Sequence, residues 1–288
     1  MRFLRGRSVR RLALDVGIVA VAAFAGVILF NHITRDQGPA PIAAPVEPLL
    51  PDLVMGQIAA VGLGEPTADG RLPLLFSATV ANIGEGDFVA EATRSWPWSD
   101  DWVVRQRIQD RTGGYSERPT DAGLVLAGDG HSHWHMRDVE AHRLEDLETG
   151  RIVAEGEKLG YCFYDTHVED ADLPGAPSSP RYPDSACEGE LSTGQVVGLS
   201  VGWGDIYAFG LPEQRFYVED VPDGRYRLWQ IADPDDRFLE LDESNNATWL
   251  DFELRREDGV ATATVVGIAP GPSEDRSGAA VRKVNEEG

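Results

Sequence analysis

Alternating apolar and polar residues, closely spaced turn signals and the lack of a sustained helical period predict a mostly-β fold. The expected form is a sandwich-like single domain with long loops, preceded by an apolar N-terminal anchor segment. In Leu74–Ala81, residues Leu74, Phe76, Ala78 and Val80 alternate with Leu75, Ser77, Thr79 and Ala81, the spacing of a strand with one buried face. Tyr226 and Leu228 alternate with Arg225 and Arg227. Leu250, Phe252 and Leu254 alternate with Asp251 and Glu253. Pro222-Asp223-Gly224 and Pro234-Asp235-Asp236 punctuate these runs as turns. Long loops are expected at roughly 95–128 and 165–192, beyond the usual length of a connection.

The N-terminus reads as a targeting segment. Arg2, Arg5, Arg7, Arg10 and Arg11 precede an apolar run from Leu12 to Phe30, broken only by Asp15. Such a run behind a basic cluster predicts a signal anchor or signal peptide over residues 1–36, with the remainder exported across the membrane. Residues 37–51 hold five prolines and predict an extended linker. The folded domain is then expected over 52–266. A Gly-, Pro- and Ser-rich disordered tail is expected over 267–288.

The chain carries a formal net charge of −22. Residues 1–36 hold six Arg against two Asp, so the excess of acid lies entirely in the remainder. That surface excludes nucleic acid as a partner, because binding phosphate requires Lys and Arg. It attracts cations, protonated amines and metal ions among them. Export places Cys162 and Cys187 in an oxidising compartment, where a disulfide is the expected state. Closing a loop of that size contributes about 3 kcal/mol.

The sharpest motif is Gly128-Asp129-Gly130-His131-Ser132-His133-Trp134-His135. On a strand, residues at i, i+2 and i+4 share a face, so the three imidazoles of His131, His133 and His135 converge. Neutral imidazoles in that number suit copper or zinc, and spacing alone leaves both open. A zinc hydrolase with an open fourth position therefore stands as one rival. A non-catalytic, extracytoplasmic copper-binding β-sandwich is another.

The segment His131-Ser132-His133-Trp134-His135-Met136 resembles the copper-binding run of the lysyl oxidase family. Val153-Ala154-Glu155-Gly156-Glu157-Lys158-Leu159-Gly160-Tyr161-Cys162 resembles the family segment that carries the cofactor lysine. Gly198-Leu199-Ser200-Val201-Gly202-Trp203-Gly204-Asp205-Ile206-Tyr207 is similar to the segment that ends in the cofactor tyrosine. The resemblance implies copper on the three histidines and a lysine tyrosylquinone built from Lys158 and Tyr207. It implies oxidative deamination of a primary amine or protein lysine to an aldehyde, with dioxygen consumed and ammonia and hydrogen peroxide released. His142 and Asp205 are the two candidates for the catalytic base. Glu240-Leu241-Asp242-Glu243-Ser244-Asn245-Asn246 resembles the family's calcium loop. That likeness assigns calcium to Glu240, Asp242, Asn245 and Asn246, with Asp52 and the carbonyl of Leu53.

The chain departs from the animal enzymes at Glu157, which stands where they have a histidine, and in retaining only two cysteines. The stretch Trp96–Gly128, with Trp96, Trp98, Trp102 and Tyr115, is read either as a wall of the active site or as an aromatic cluster packing a long loop.

Overall fold

The computed structural model describes residues 46–127, 133–156, 160–183, 187, 189–211 and 213–272. The described residues are almost entirely strands and turns, and the strands lie within the unit Glu47–Gly288. All strand pairs are antiparallel. The mostly-β expectation holds. The N-terminal apolar run lies outside the described residues, among which no helix is long and apolar enough to cross a membrane.

Three sheets position the site. In one, Leu53–Met55, Ala78–Asn82, Trp203–Tyr207 and His167–Val168 pair in that spatial order, which brings Tyr207 opposite Ala78. In a second, Trp134–Arg137 lies between Leu124–Leu126 and Gly160–Tyr161. The third and largest runs Arg151–Glu155, Glu140–Asp146, Gly224–Ala232, Ala247–Glu257 and Val260–Ile268. Two further sheets complete the domain, one built on Phe88–Thr93 and Val103–Asp110, the other on Pro73–Phe76.

The apolar faces form two cores. The first gathers Leu53, Val80, Phe88, Met136, Tyr161, Phe163, Leu199, Tyr207 and Phe238. The second gathers Leu74, Phe76, Phe216, Leu228, Leu250, Phe252 and Leu254.

The alternation predicted over Leu74–Ala81 is real, but the run is two strands, Pro73–Phe76 and Ala78–Asn82. The break falls at Ser77, whose N–H donates to Ala60 O at 3.0 Å and whose carbonyl accepts from Gln230 Nε2 at 2.8 Å. Leu74 and Phe76 therefore serve one core while Ala78 and Val80 serve the other. Alternation reports which side is buried but not which sheet does the burying.

Residues 95–128 also differ from the long loop expected. They include the hairpin Val103–Asp110 with Tyr115–Pro119, and the strand Leu124–Leu126. In Tyr115–Pro119 all five residues are exposed, so no buried face marks that strand in the sequence. Pairing begins at Pro48, inside the proline-rich stretch, where Pro48–Leu49 sits beside Val103–Asp110. At the other end Ala269 is buried and its N–H donates to Trp249 O at 2.9 Å.

Candidate active site

The site is built where the histidine strand meets the tyrosine strand. His133 and His135 lie two residues apart, and Trp134 turns to the opposite side. The Nε2 atoms of His133 and His135 stand 2.7 Å apart. Two imidazoles on one transition-metal ion, each at about 2.0 Å, place their nitrogens about 3 Å apart, so this pair has the spacing such an ion needs. The donor chemistry fits copper or zinc. His131 and Lys158 lie outside the described residues.

Trp134 is held from behind. The Arg94 guanidinium packs against both the Trp102 and Trp134 rings, 4.6 and 4.5 Å from their centroids. It donates to Ser192 O, Ser99 O and Glu190 O. Trp96 and Trp98 are exposed, so of the three tryptophans in the 96–128 stretch only Trp102 joins this cluster.

Tyr161 links the two strands. It pairs with Met136, the residue after His135, and its ring meets Tyr207 edge-on at 4.6 Å between centroids. Gly160 permits the approach, because a Cβ there would collide with the Met136 carbonyl. Tyr207 is buried. Its hydroxyl donates to Cys162 O at 2.8 Å and accepts from Cys162 N–H at 3.0 Å. Cys162 is bonded to Cys187 as expected, with Cα atoms 5.9 Å apart. Burial raises the Tyr207 phenol well above its ordinary pKa, and Asp205, Tyr161 and Glu140 push in the same direction.

Both candidate bases are buried near this tyrosine. Asp205 is two residues before it and accepts from Thr166 Oγ1 at 3.1 Å. His142 Nε2 lies 2.5 Å from Tyr161 Oη and 3.2 Å from Glu140 Oε1. Burial, then Glu140 and Glu213, raise the Tyr161 phenol well above its ordinary value. Sequence reasoning missed Glu140 and Tyr161 as site residues. Tyr161 lies within a quoted motif but carries no signal of its own, and Glu140 resembles any strand-edge acid.

A second acidic site closes the two ends of the domain. Leu53 N–H donates to the buried Glu240 carboxylate, and Asn245 Nδ2 donates to Asp52 Oδ1 at 2.9 Å. With its amide turned to satisfy its neighbours, Asn246 donates to the carbonyls of Asp242 and Leu53, both at 3.2 Å. The Asp242 carboxylate instead caps its own turn, accepting from Ser244 N–H and Oγ. Carboxylate oxygens of Asp233, Glu240 and Glu243 lie within 4.8 Å of one another. Sequence reasoning had omitted Asp233 and Glu243. Burial, reinforced by Glu243, Asp233 and Asp52, pushes Glu240 up to about 9 despite the Leu53 N–H. Crowded oxygens of this kind suit a hard cation such as calcium.

Comparison with known proteins decides the family. Residues 126–263 match the sequence model of the lysyl oxidase family, across the histidine strand, the lysine segment and Tyr207.

The chain belongs to the lysyl oxidase family.

Among its relatives is human lysyl oxidase homolog 3, 28% identical over 178 residues, covering 62% of this chain and 18% of that protein. Rat protein-lysine 6-oxidase is 29% identical over 204 residues, covering 70% of this chain and 39% of that protein. Human lysyl oxidase homolog 1 is 29% identical over 180 residues, covering 62% and 24%. This lysyl oxidase family member therefore spans well under half the length of the relatives it matches.

Proposed function

We propose that the protein is a copper-dependent amine oxidase. It converts a primary amine, peptidyl lysine included, to an aldehyde, with dioxygen consumed and ammonia and hydrogen peroxide released. The observation that carries this reading is the convergence of His133 and His135 at 2.7 Å, with Tyr161 joining their strand to the buried Tyr207. His131, His133 and His135 hold the copper, and Lys158 and Tyr207 form the quinone. Copper and quinone together supply the two-electron oxidation, with dioxygen as final acceptor.

The chain's own residues do the rest. Two hydrogen bonds to the Cys162 backbone fix the Tyr207 ring, and the disulfide anchors that backbone. Burial keeps water from the ring. Asp205 and His142 are placed to accept a proton. The acidic surface draws cationic amines. Glu240, Asp52, Asn245, Asn246 and the carbonyls of Leu53 and Asp242 hold a calcium ion that ties the domain's ends together. The reaction takes place outside the cytoplasm, the N-terminal segment directing export.

The test is an absorption spectrum of the protein produced with copper, before and after phenylhydrazine. A visible band that shifts to a hydrazone adduct is expected. Bound copper without such a band would make the protein a non-catalytic copper-binding relative, and zinc without a copper-dependent spectrum would favour a hydrolase.

A further inference from the structure

Glu140 has no role in the reaction as described above, yet its carboxylate is buried beside His142, one of the two candidate bases. Glu140 Oε1 lies 3.2 Å from His142 Nε2, and the carboxylate's charge helps keep the neighbouring Tyr161 phenol protonated. Tyr161 Oη is 2.5 Å from the same imidazole nitrogen. A carboxylate, an imidazole and a phenol thus form one buried cluster around His142 Nε2, with the Tyr161 ring edge-on to Tyr207.

The group is fixed on its other sides by uncharged neighbours. Phe76 meets the His142 ring at 4.7 Å. Gly156 donates its N–H to His142 O at 2.9 Å, and a Cβ there would stand 3.0 Å from His142 Cβ. The charged or titratable groups facing the triad are Glu213, beside Tyr161, and Asp205, across Tyr207. Gly156 and Gly160 bracket the segment that contains Lys158; His142 bonds Gly156 on one side, and Tyr161 directly follows Gly160 on the other.

We propose that Glu140 is a positioning residue that holds His142, through the shared contact with Tyr161, as the proton acceptor beside Tyr207. A proton released there reaches the Tyr161 oxygen as that hydroxyl's own proton moves to His142 Nε2. The Glu140 carboxylate offsets the imidazolium charge, and no other bond changes. An acid five residues beyond the last metal-binding histidine thereby selects His142 over Asp205 as the base. This inference rests on the amine-oxidase reading for its purpose, but not for its test.

The experiment compares wild type with Glu140→Gln, which keeps size and hydrogen bonding while removing the charge. The His142 imidazole is titrated by NMR in the metal-free protein, with His142→Asn used to assign the signal. The His142 midpoint is expected to fall by at least about one pH unit, a tenfold loss of proton affinity. In the copper-loaded protein, appearance of the phenylhydrazine-reactive band is expected to slow about tenfold or more, with copper content unchanged. An unmoved midpoint overturns the proposal, as does band formation at the wild-type rate. Should Glu140→Gln fail to fold, Glu140→Asp draws the charge back by one methylene. A lowered midpoint then supports the proposal and an unchanged one overturns it. If wild type forms no band at all, the amine-oxidase reading fails while the titration still judges Glu140.

Discussion

The two cores of the domain are built from similar apolar residues but differ in what shares their interior. Around Phe252, Leu228 and Leu250 the packing is dry, and Tyr226 sends its hydroxyl to Pro222 O, four residues away. Around Tyr207 and Tyr161 the interior also takes in Asp205, and it borders Glu140 and His142. His142 bridges the two, touching Phe76 of the dry core and Tyr161 of the polar one. Buried polar groups are costly unless paired, so a fold that retains several in one core and few in the other separates stability from chemistry. The dry core holds the sheet together, and the polar core gathers titratable side chains.

Substitutions on either side sharpen that contrast. The largest effect is expected from Tyr207→Phe, which should abolish the phenylhydrazine-reactive band while copper still binds. Its cost in stability should be about 1–3 kcal/mol, since both Cys162 backbone groups lose their partner. Denaturant unfolding and the spectrum measure the two effects separately, and a retained band would remove Tyr207 from the cofactor.

Phe252→Ala should do the reverse. Deleting a fully buried ring from the dry core is expected to cost about 3–5 kcal/mol. The spectrum of the fraction that remains folded should be unchanged, and a changed spectrum would mean that the cores are coupled. Replacing Cys162 and Cys187 together with Ala is expected to cost about 3 kcal/mol, read by thermal or denaturant unfolding. An undiminished unfolding midpoint would show that packing alone holds the Tyr161–Phe163 segment.

The last prediction concerns Glu240 and is read against pH. Its folded-state pKa of about 9 lies above the ordinary carboxylate value of 4.5, so the folded metal-free protein binds the proton more tightly than the unfolded chain. The stabilisation is fully present below about pH 4.5 and is lost as pH rises towards 9, with a slope of up to about 1.4 kcal/mol per pH unit. Calcium should remove this decline, because a bound cation favours the ionised carboxylate. Glu240→Gln should flatten the metal-free pH dependence and abolish the response to calcium. A calcium-independent melting temperature in wild type at pH 8 would exclude a structural ion at this site.

How much of this was legible in the sequence depends on the distance over which each feature is set. The histidine spacing was readable because alternate strand residues share a face whatever sheet the strand joins, and His133 and His135 do converge. The burial of Leu250, Phe252 and Leu254 followed from the same local rule. The hairpin inside residues 95–128 was missed because its second strand buries nothing. Asp233 and Glu243 were missed because a turn and a separate loop bring them to Glu240.

The sequence by itself determined the strand character, the convergent histidine pair, the cysteine pair and the family. These depend on residue identity and short spacing, which survive any arrangement of sheets. Only the tertiary structure decided that Glu140 and Tyr161 belong to the site and that Leu74–Ala81 divides between two cores. Glu140, Tyr161 and Tyr207 come from three different sheets. Their meeting is fixed by pairing registers between strands, and one residue of slip would turn each side chain to the opposite face.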